Sequence, residues 1–151
     1  MAKEKAIIVD LDGTLCDLSH RLHYVKGEKK DWPSFLSGVH NDLLNRWCSE
    51  LIYAMDKRGY KTIFCTGREG TKEIMDKTTT WLTNWLPNLG WCLYHREEGD
   101  HRKDAIIKRE LYKNFIEPEF NVLFVVDDRQ QVVDMWREVG LTCLQCAKGD
   151  F

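Results

Sequence analysis

The sequence predicts an α/β fold in which a five-stranded, mostly parallel sheet carries helices on both of its faces. Short apolar runs, typical of buried strands, occur at residues 6–9, 62–65, 91–94, 122–126 and 141–145. Helical patterns separate these runs, and that alternation is typical of a parallel sheet covered on both sides. The apolar fraction of 43% over 151 residues is sufficient for one compact domain.

Each predicted helix has apolar residues at helical spacing and a recognisable end. The first helix has Leu43, Trp47, Leu51 and Met55 on one face and ends near Gly59, a C-cap residue. The apolar residues of the other three helices are Ile74, Trp81, Leu82 and Trp85, then Ile106, Ile107, Leu111 and Phe115, then Val132, Val133, Trp136 and Val139. These three helices are expected to end before Pro87, before Pro118 and at Gly140.

Residues 16–41, called the lid segment below, interrupt this alternation with basic and aromatic side chains. Long loops in compact domains are usually functional or disordered, so we expect a small cap insertion over the mouth of the first strand. Residues 1–151 would then form a single domain that contains this insertion at about 16–41. Trp32 and Phe35 in this segment could stack on a nucleotide or simply pack into a core.

Charge and cysteine content exclude several classes of protein. A net charge of −2, from 22 basic and 24 acidic residues, does not favour tight nonspecific nucleic-acid binding, although a local basic patch is compatible with it. The six cysteines show no disulfide or zinc pattern beyond an isolated CxxC at residues 143–146. With no leader before the first strand and no run long enough to span a membrane, we expect a cytoplasmic protein without membrane contact.

Polar residues follow the predicted strands where each strand ends. They are Asp10 and Asp12 after the first strand, Thr66 and Arg68 after the second, Asp100 and Lys103 beyond the third, and Asp127 and Asp128 after the fourth. In an open parallel sheet, ligands bind beyond the carboxyl ends of the strands. Carboxylates suit an oxygen-ligated Mg²⁺ ion and a nucleophile, whereas the lysine and the hydroxyl suit a transferring phosphoryl group.

These motifs, Asp10-x-Asp12-Gly13-Thr14, Thr66, Lys103 and Asp127-Asp128, resemble the haloacid dehalogenase (HAD) superfamily of phosphotransferases, with its Rossmann-like fold. The resemblance implies that Asp10 is the nucleophile and a metal ligand, and that Asp12 is the general acid and base and contributes its backbone carbonyl to the metal. It implies phosphate binding by Thr66 and Lys103, and a Mg²⁺ site completed by Asp127 and Asp128.

A closer likeness is to the 3′-phosphatase domain of phage polynucleotide kinase-phosphatase. It covers residues 66–69, 96–104, 127–136 and 148–151. By that likeness Arg21, Arg68 and Asp100 also serve the site. The chain contains no GxxxxGK[ST] sequence, so the kinase half is not expected within these residues.

The sequence therefore favours a Mg²⁺-dependent phosphomonoesterase that removes 3′-terminal phosphates, and possible 2′,3′-cyclic phosphates, from RNA or DNA ends. A separate kinase or ligase is a potential partner. The first alternative is a phosphatase for nucleoside monophosphates or other small phosphoesters. A non-enzymatic binding domain is the second alternative, disfavoured because every catalytic motif position holds a competent side chain.

Overall fold

The structure is a computed structural model that describes residues 2–151. In chain order its strands are β1 (Glu4–Val9), β2 (Cys16–Asp17), β3 (Leu43–Leu44), β4 (Lys61–Glu69), β5 (Trp91–Arg96), β6 (Phe120–Asp127) and β7 (Cys143–Gln145). Its α-helices are α1 (Trp32–Ser37), α2 (Arg46–Lys57), α3 (Lys72–Trp85), α4 (Asp104–Leu111) and α5 (Gln130–Glu138). A π-helical turn, Tyr112–Ile116, continues α4.

Five strands form one sheet in the order β5-β4-β1-β6-β7, and every neighbouring pair is parallel. The predicted fold class is therefore confirmed, with the five predicted runs inside or overlapping these strands. Because β1 lies at the centre with β4 and β6 beside it, the carboxyl ends of three adjacent strands meet at one edge. That edge carries the candidate site.

Alternation along the central strand separates two hydrophobic cores. Ile7 and Val9 pack with α2 and α3, whereas Ala6 and Ile8 pack with α4, its π-helical turn and α5. Successive side chains of a strand point to opposite faces, so a fully apolar strand requires cover on both sides. The helices on both faces supply it.

Two details of the predicted helices are wrong. Leu43 lies in β3 and is 64% exposed, because the chain is still extended there and α2 begins only at Arg46. Trp47, Trp85, Ile106 and Phe115 are also exposed, although they were expected on the buried faces of their helices. The wider π-helical turn rotates the chain after Leu111, so that Tyr112 and Ile116 face the core instead.

The lid segment is held at its base by an antiparallel pairing of β2 with β3. Between these strands it forms a 3₁₀ helix (Ser19–Tyr24), α1 and a second short 3₁₀ helix. A small cluster of Leu18, Val25 and Phe35 forms its own core. Phe35 is thus a packing residue, whereas Trp32 remains 39% exposed.

Within residues 2–151, no helix combines the length and the apolar character that crossing a bilayer requires.

Candidate active site

Three buried carboxylates converge at the carboxyl edge of the sheet. Asp10 follows β1, Asp127 ends β6, and Asp128 comes next; each offers a carboxylate oxygen within 4.8 Å of the other two. Burial and the neighbouring charge of Asp127 raise the pKa of Asp10 well above its usual range. The same two causes raise the pKa of Asp128 to about 6. The cluster therefore concentrates negative charge that needs a counter-ion.

Lys108 supplies part of that positive charge. Its side chain is 2% exposed, and its ammonium group lies 2.8 Å from Asp10 Oδ1 and 2.9 Å from Asp127 Oδ2. Asp127 Oδ2 also accepts a hydrogen bond from the Trp136 indole N–H at 3.1 Å. One lysine opposes three acids, so the cluster still carries excess negative charge when all three are ionised.

The donor set fits a divalent cation such as Mg²⁺. Asp128 Oδ1 is buried and has no hydrogen-bond partner within the part of the chain that the structure describes. A buried carboxylate oxygen without a partner is costly unless a cation or water satisfies it. Three carboxylate oxygens match the hard oxygen ligands of Mg²⁺, which takes few ligands from the protein and completes its octahedral coordination with water.

The glycine of the first motif shapes the turn against Asp128. Gly13 has a φ of +83°, and a Cβ atom placed there would overlap Asp128 Oδ2. Glycine is therefore required twice, for its backbone conformation and for the close approach of the carboxylate. Thr14 next to it donates a hydrogen bond to Asp10 Oδ2 at 3.2 Å.

Asp12 lies in the opposite electrostatic environment. The Arg68 guanidinium donates to it from Nη2 at 2.7 Å, and Arg21 Nη2 donates to the same carboxylate. Burial alone would raise the pKa of Asp12, but the charges of Arg68 and Arg21 outweigh that effect and hold it well below its usual range. Asp12 is thus ionised and held apart from the acidic cluster.

Asp42 anchors both arginines and was not found by sequence reasoning. It accepts hydrogen bonds from Arg21 at 2.7 Å and 2.6 Å and from Arg68 at 3.3 Å, and its side chain is fully buried. It lies immediately after the lid segment in a loop with no motif of its own, so sequence spacing carried no signal for it. The predicted site residue Arg21, which is 1% exposed, is brought to Asp12 by this anchor.

Two of the predicted site residues, Lys103 and Asp100, lie outside the buried acidic cluster. Lys103 precedes α4 and is exposed at the cleft mouth, whereas Lys108, one and a half turns into α4, reaches the acids. Lys108 is therefore the lysine that contacts the acids, and phosphate binding by Lys103 stays a prediction. Ile107 and Lys108 are both buried in α4. The apolar pattern of this helix was the sequence signal that could have indicated a buried lysine.

Asp100 is likewise displaced from the centre. Its carboxylate pairs with Arg102 at 2.8 Å. The acid that braces the site is Asp104, which accepts hydrogen bonds from Arg96 and, at 2.7 Å, from Arg129. Asp100 lines the cleft with its charge matched by Arg102, and its role in the site stays a prediction.

Thr66 is fully buried at the end of β4, and its hydroxyl accepts a hydrogen bond from the Arg68 backbone N–H at 3.2 Å. Its role in phosphate binding stays a prediction.

The acids open into a cleft of about 880 Å³ between the lid segment and the carboxyl edge of the sheet. That volume lies in the range of small-ligand pockets. Its wall includes Asp10, Asp12, Trp32, Arg68, Arg96, Asp100, Lys103, Asp104, Lys108, Arg129 and Phe151.

A family model described as the polynucleotide kinase PNKP phosphatase domain matches residues 4–151. The chain belongs to this family. The predicted membership of the HAD superfamily is therefore confirmed, and the chain is a phosphatase-type domain of the polynucleotide kinase class.

Solved structures of the Pnkp1/Rnl/Hen1 complex contain similar domains. In two of them the matched chain is 38% identical, with TM-scores of 0.83 and 0.84 over 99% and 100% of this chain. A candidate bifunctional polynucleotide kinase/RNA ligase of Autographa californica nuclear polyhedrosis virus is 27% identical over 137 residues. A hydrolase from Streptococcus pneumoniae TIGR4, 16% identical with a TM-score of 0.56 over 96% of this chain and 94% of its own, shares the fold.

This PNKP-type phosphatase domain spans less than half of these larger relatives. It covers 44% and 48% of the two Pnkp1/Rnl/Hen1 chains and 18% of the viral protein.

Proposed function

We propose that this chain is a Mg²⁺-dependent polynucleotide 3′-phosphatase that acts through an aspartyl-phosphate intermediate. The observation that carries the proposal is the contrast between Asp10, in an acidic cluster with Lys108, and Asp12, held by two arginines. Two carboxylates two residues apart in opposite environments are suited to different roles in one reaction. Membership of the polynucleotide kinase phosphatase-domain family supports nucleic-acid ends as the substrate.

Asp10 is the proposed nucleophile. Lys108 and Thr14 hold its two carboxylate oxygens from different sides, which orients the group, and the lysine charge favours its ionised form. The Asp10 carboxylate forms a bond to phosphorus as the bond from phosphorus to the 3′-oxygen breaks. A water molecule then attacks the aspartyl-phosphate, releasing phosphate and restoring the carboxylate.

Asp12 is the proposed proton shuttle. Without substrate it is ionised because of Arg21 and Arg68. A phosphate group that enters next to it competes for both arginines, and its negative charge raises the pKa of Asp12 so that it binds a proton. Asp12 donates that proton to the departing 3′-oxygen and takes one from the water that attacks next.

The residues that would hold Mg²⁺ are Asp10, Asp127 and Asp128, with the backbone carbonyl of Asp12 added from the HAD resemblance. When bound, Mg²⁺ would neutralise charge on the phosphate and on the acids. The carboxylate of Asp12 pairs with Arg21 and Arg68 instead, which agrees with a metal ligand supplied by its backbone carbonyl alone.

A kinase and a ligase are the proposed functional partners. Solved relatives of this domain belong to the Pnkp1/Rnl/Hen1 RNA repair complex. The viral relative is a candidate bifunctional polynucleotide kinase/RNA ligase. Removal of a 3′-phosphate leaves the 3′-hydroxyl that a ligase requires, so the chemistry fits such a sequence of reactions.

The test is phosphate release from a 3′-phosphorylated oligonucleotide, with Mg²⁺ and with EDTA. We expect release with Mg²⁺, none with EDTA, and none from Asp10→Asn protein with an unchanged circular dichroism spectrum. Asp56→Asn on α2 is the matched control and should retain full activity. Brisk release from mononucleotides with none from oligonucleotides would contradict the proposal and favour the small-phosphoester alternative.

A further inference from the structure

The cleft has an aromatic wall that the proposed reaction does not use. Trp32 lines the cleft and is 39% exposed, while its ring packs edge-on against the buried Phe35 with centroids 5.6 Å apart. Asp31 caps α1 by accepting the Ser34 backbone N–H at 3.1 Å, which fixes the helix that carries Trp32. Trp32 therefore offers a partly exposed ring on a supported backbone in the same cleft as the reacting acids, with Lys30 Nζ 5.6 Å from the ring centroid.

Most cations of the same cleft are already matched by acids. Arg68 binds Asp12, Arg96 and Arg129 bind Asp104, and Lys108 binds Asp10 and Asp127. Arg102 at the mouth is held between Asp100 and Glu110.

Lys103 differs from them. It is exposed, it lines the cleft, and within residues 2–151 its ammonium group makes no hydrogen bond or ion pair. A lysine at a cleft mouth with no acidic partner is available to an anionic ligand. Because Lys108 already contacts Asp10 and Asp127, Lys103 is available to a second anionic group of the same ligand.

We propose that Trp32 and Lys103 form the subsite for the nucleotide that carries the reacting phosphate. The Trp32 ring stacks on the base of the terminal nucleotide, and the Lys103 ammonium group pairs with the phosphodiester that links it to the next nucleotide. This inference rests on the proposed function and adds the residues that distinguish a polynucleotide end from a smaller phosphoester. Base stacking tolerates any sequence, since every base has a π-face.

The lysine contact also explains how a protein of net charge −2 engages a polyanion. Only the end of the strand enters the cleft, so one cation without an acidic partner at its mouth can meet the nearest phosphodiester despite the net negative charge. Single-stranded nucleic acids release about 0.7 counter-ion for each phosphate neutralised, which gives each such contact a measurable salt dependence.

The experiment uses three substrates of increasing size. Glycerol 2-phosphate has neither sugar ring nor base, thymidine 3′-monophosphate has both, and 3′-phosphorylated dithymidylate adds a second nucleoside joined through a phosphodiester. The measured quantity is kcat/KM for each substrate in wild-type protein and in variants.

Trp32→Ala should lower kcat/KM for the mononucleotide roughly tenfold more than for glycerol 2-phosphate, in the range found for one base stacked on an aromatic ring. Trp32→Phe should restore most of the loss. Trp47→Ala is the matched control, because Trp47 is 47% exposed on α2 and lies outside the cleft wall. Equal losses on all three substrates would assign Trp32 a structural role and overturn its part of the proposal.

Lys103→Ala should lower kcat/KM for the dinucleotide roughly fivefold relative to the mononucleotide. The slope of log kcat/KM against log salt concentration should decrease by about 0.7 for the dinucleotide. Lys57→Ala, an exposed lysine at the end of α2, is the control and should change neither. A loss as large for the mononucleotide as for the dinucleotide would place Lys103 on the reacting phosphate and overturn its part.

Binding to the Asp10→Asn protein separates this inference from the proposed function. Calorimetric titration with the phosphorylated dinucleotide should show weaker binding when Trp32→Ala or Lys103→Ala is added, whether or not the wild type turns the dinucleotide over. Unchanged affinity in both double variants would overturn the subsite. Absence of turnover in the wild type would overturn the function alone.

Discussion

Replacement of the buried lysine tests whether the acidic cluster is held together by opposite charge. Lys108→Met keeps most of the side-chain volume and removes the ammonium group that lies 2.8 Å from Asp10 and 2.9 Å from Asp127. Removing one partner of a buried ion pair typically costs about 3–5 kcal/mol, because it leaves uncompensated charge. Proton uptake by Asp10, whose pKa burial already raises, limits the cost to the lower part of this range.

For a domain of this size, each kcal/mol lost from the free energy of unfolding lowers the melting temperature by about 2–4 °C. We therefore expect Lys108→Met to melt roughly 6–15 °C lower than wild type in EDTA, measured by differential scanning calorimetry. Mg²⁺ should raise the melting temperature of the variant more than that of the wild type, because the cation then replaces the missing charge. Phosphatase turnover should fall by about a hundredfold or more, as for the loss of other preorganised charged groups.

Lys103→Met is the matched control for stability, since Lys103 is exposed and precedes the same helix. It should melt within about 2 °C of the wild type, as expected of a surface substitution. A melting temperature of Lys108→Met in EDTA as high as that of the control would refute the charge argument. Equal Mg²⁺ shifts in variant and wild type would refute the link between the lysine and the metal site.

Two further substitutions and one measurement of thiol reactivity test separate parts of the site. Asp42→Asn removes the charge that anchors both arginines. Steady-state kinetics should show kcat lowered about tenfold to a hundredfold, while circular dichroism shows that the fold is retained. An unchanged kcat would exclude a role for Asp42 as the anchor. Gly13→Ala should lower the free energy of unfolding in urea by about 1–3 kcal/mol and weaken Mg²⁺ binding. The reason is that residue 13 has a φ of +83° and that an added Cβ would displace the Asp128 carboxylate. A variant as stable as the wild type would contradict this geometry. Burial raises the pKa of the Cys146 thiol to about 11, so at pH 8 it should react with iodoacetamide about 200-fold more slowly than a free thiol. Peptide mass spectrometry of native and urea-unfolded protein checks this, and equal rates would contradict it.

Local patterns were sufficient for the fold and for the acids at the strand ends. Strand β1 is apolar on both faces and carries Asp10 at its end, so its burial and its chemistry both follow from neighbouring residues. The same holds for β6 and the two acids Asp127 and Asp128. The strand order then brings these ends together, as parallel sheets generally do.

Local patterns failed where a long side chain or a loop decides the contact. Lys103 and Lys108 are five residues apart around one helix start, and which of them reaches Asp10 depends on how α4 is rotated against the sheet. Ile107 is the neighbour of Lys108 and marks the buried face of the helix, but the packing of α4 against β4 and α5, which are distant in the chain, decides how the helix is rotated.

The sequence by itself determined the parallel α/β fold, the acidic first motif, and the likeness to polynucleotide phosphatases. Those features depend on residue type and on spacing along single strands, which are local. Only the tertiary structure decided that Lys108 meets the acids and that Asp42 joins Arg21 to Arg68. Such contacts depend on distances between segments far apart in the chain, and packing of the helices and the lid segment sets those distances.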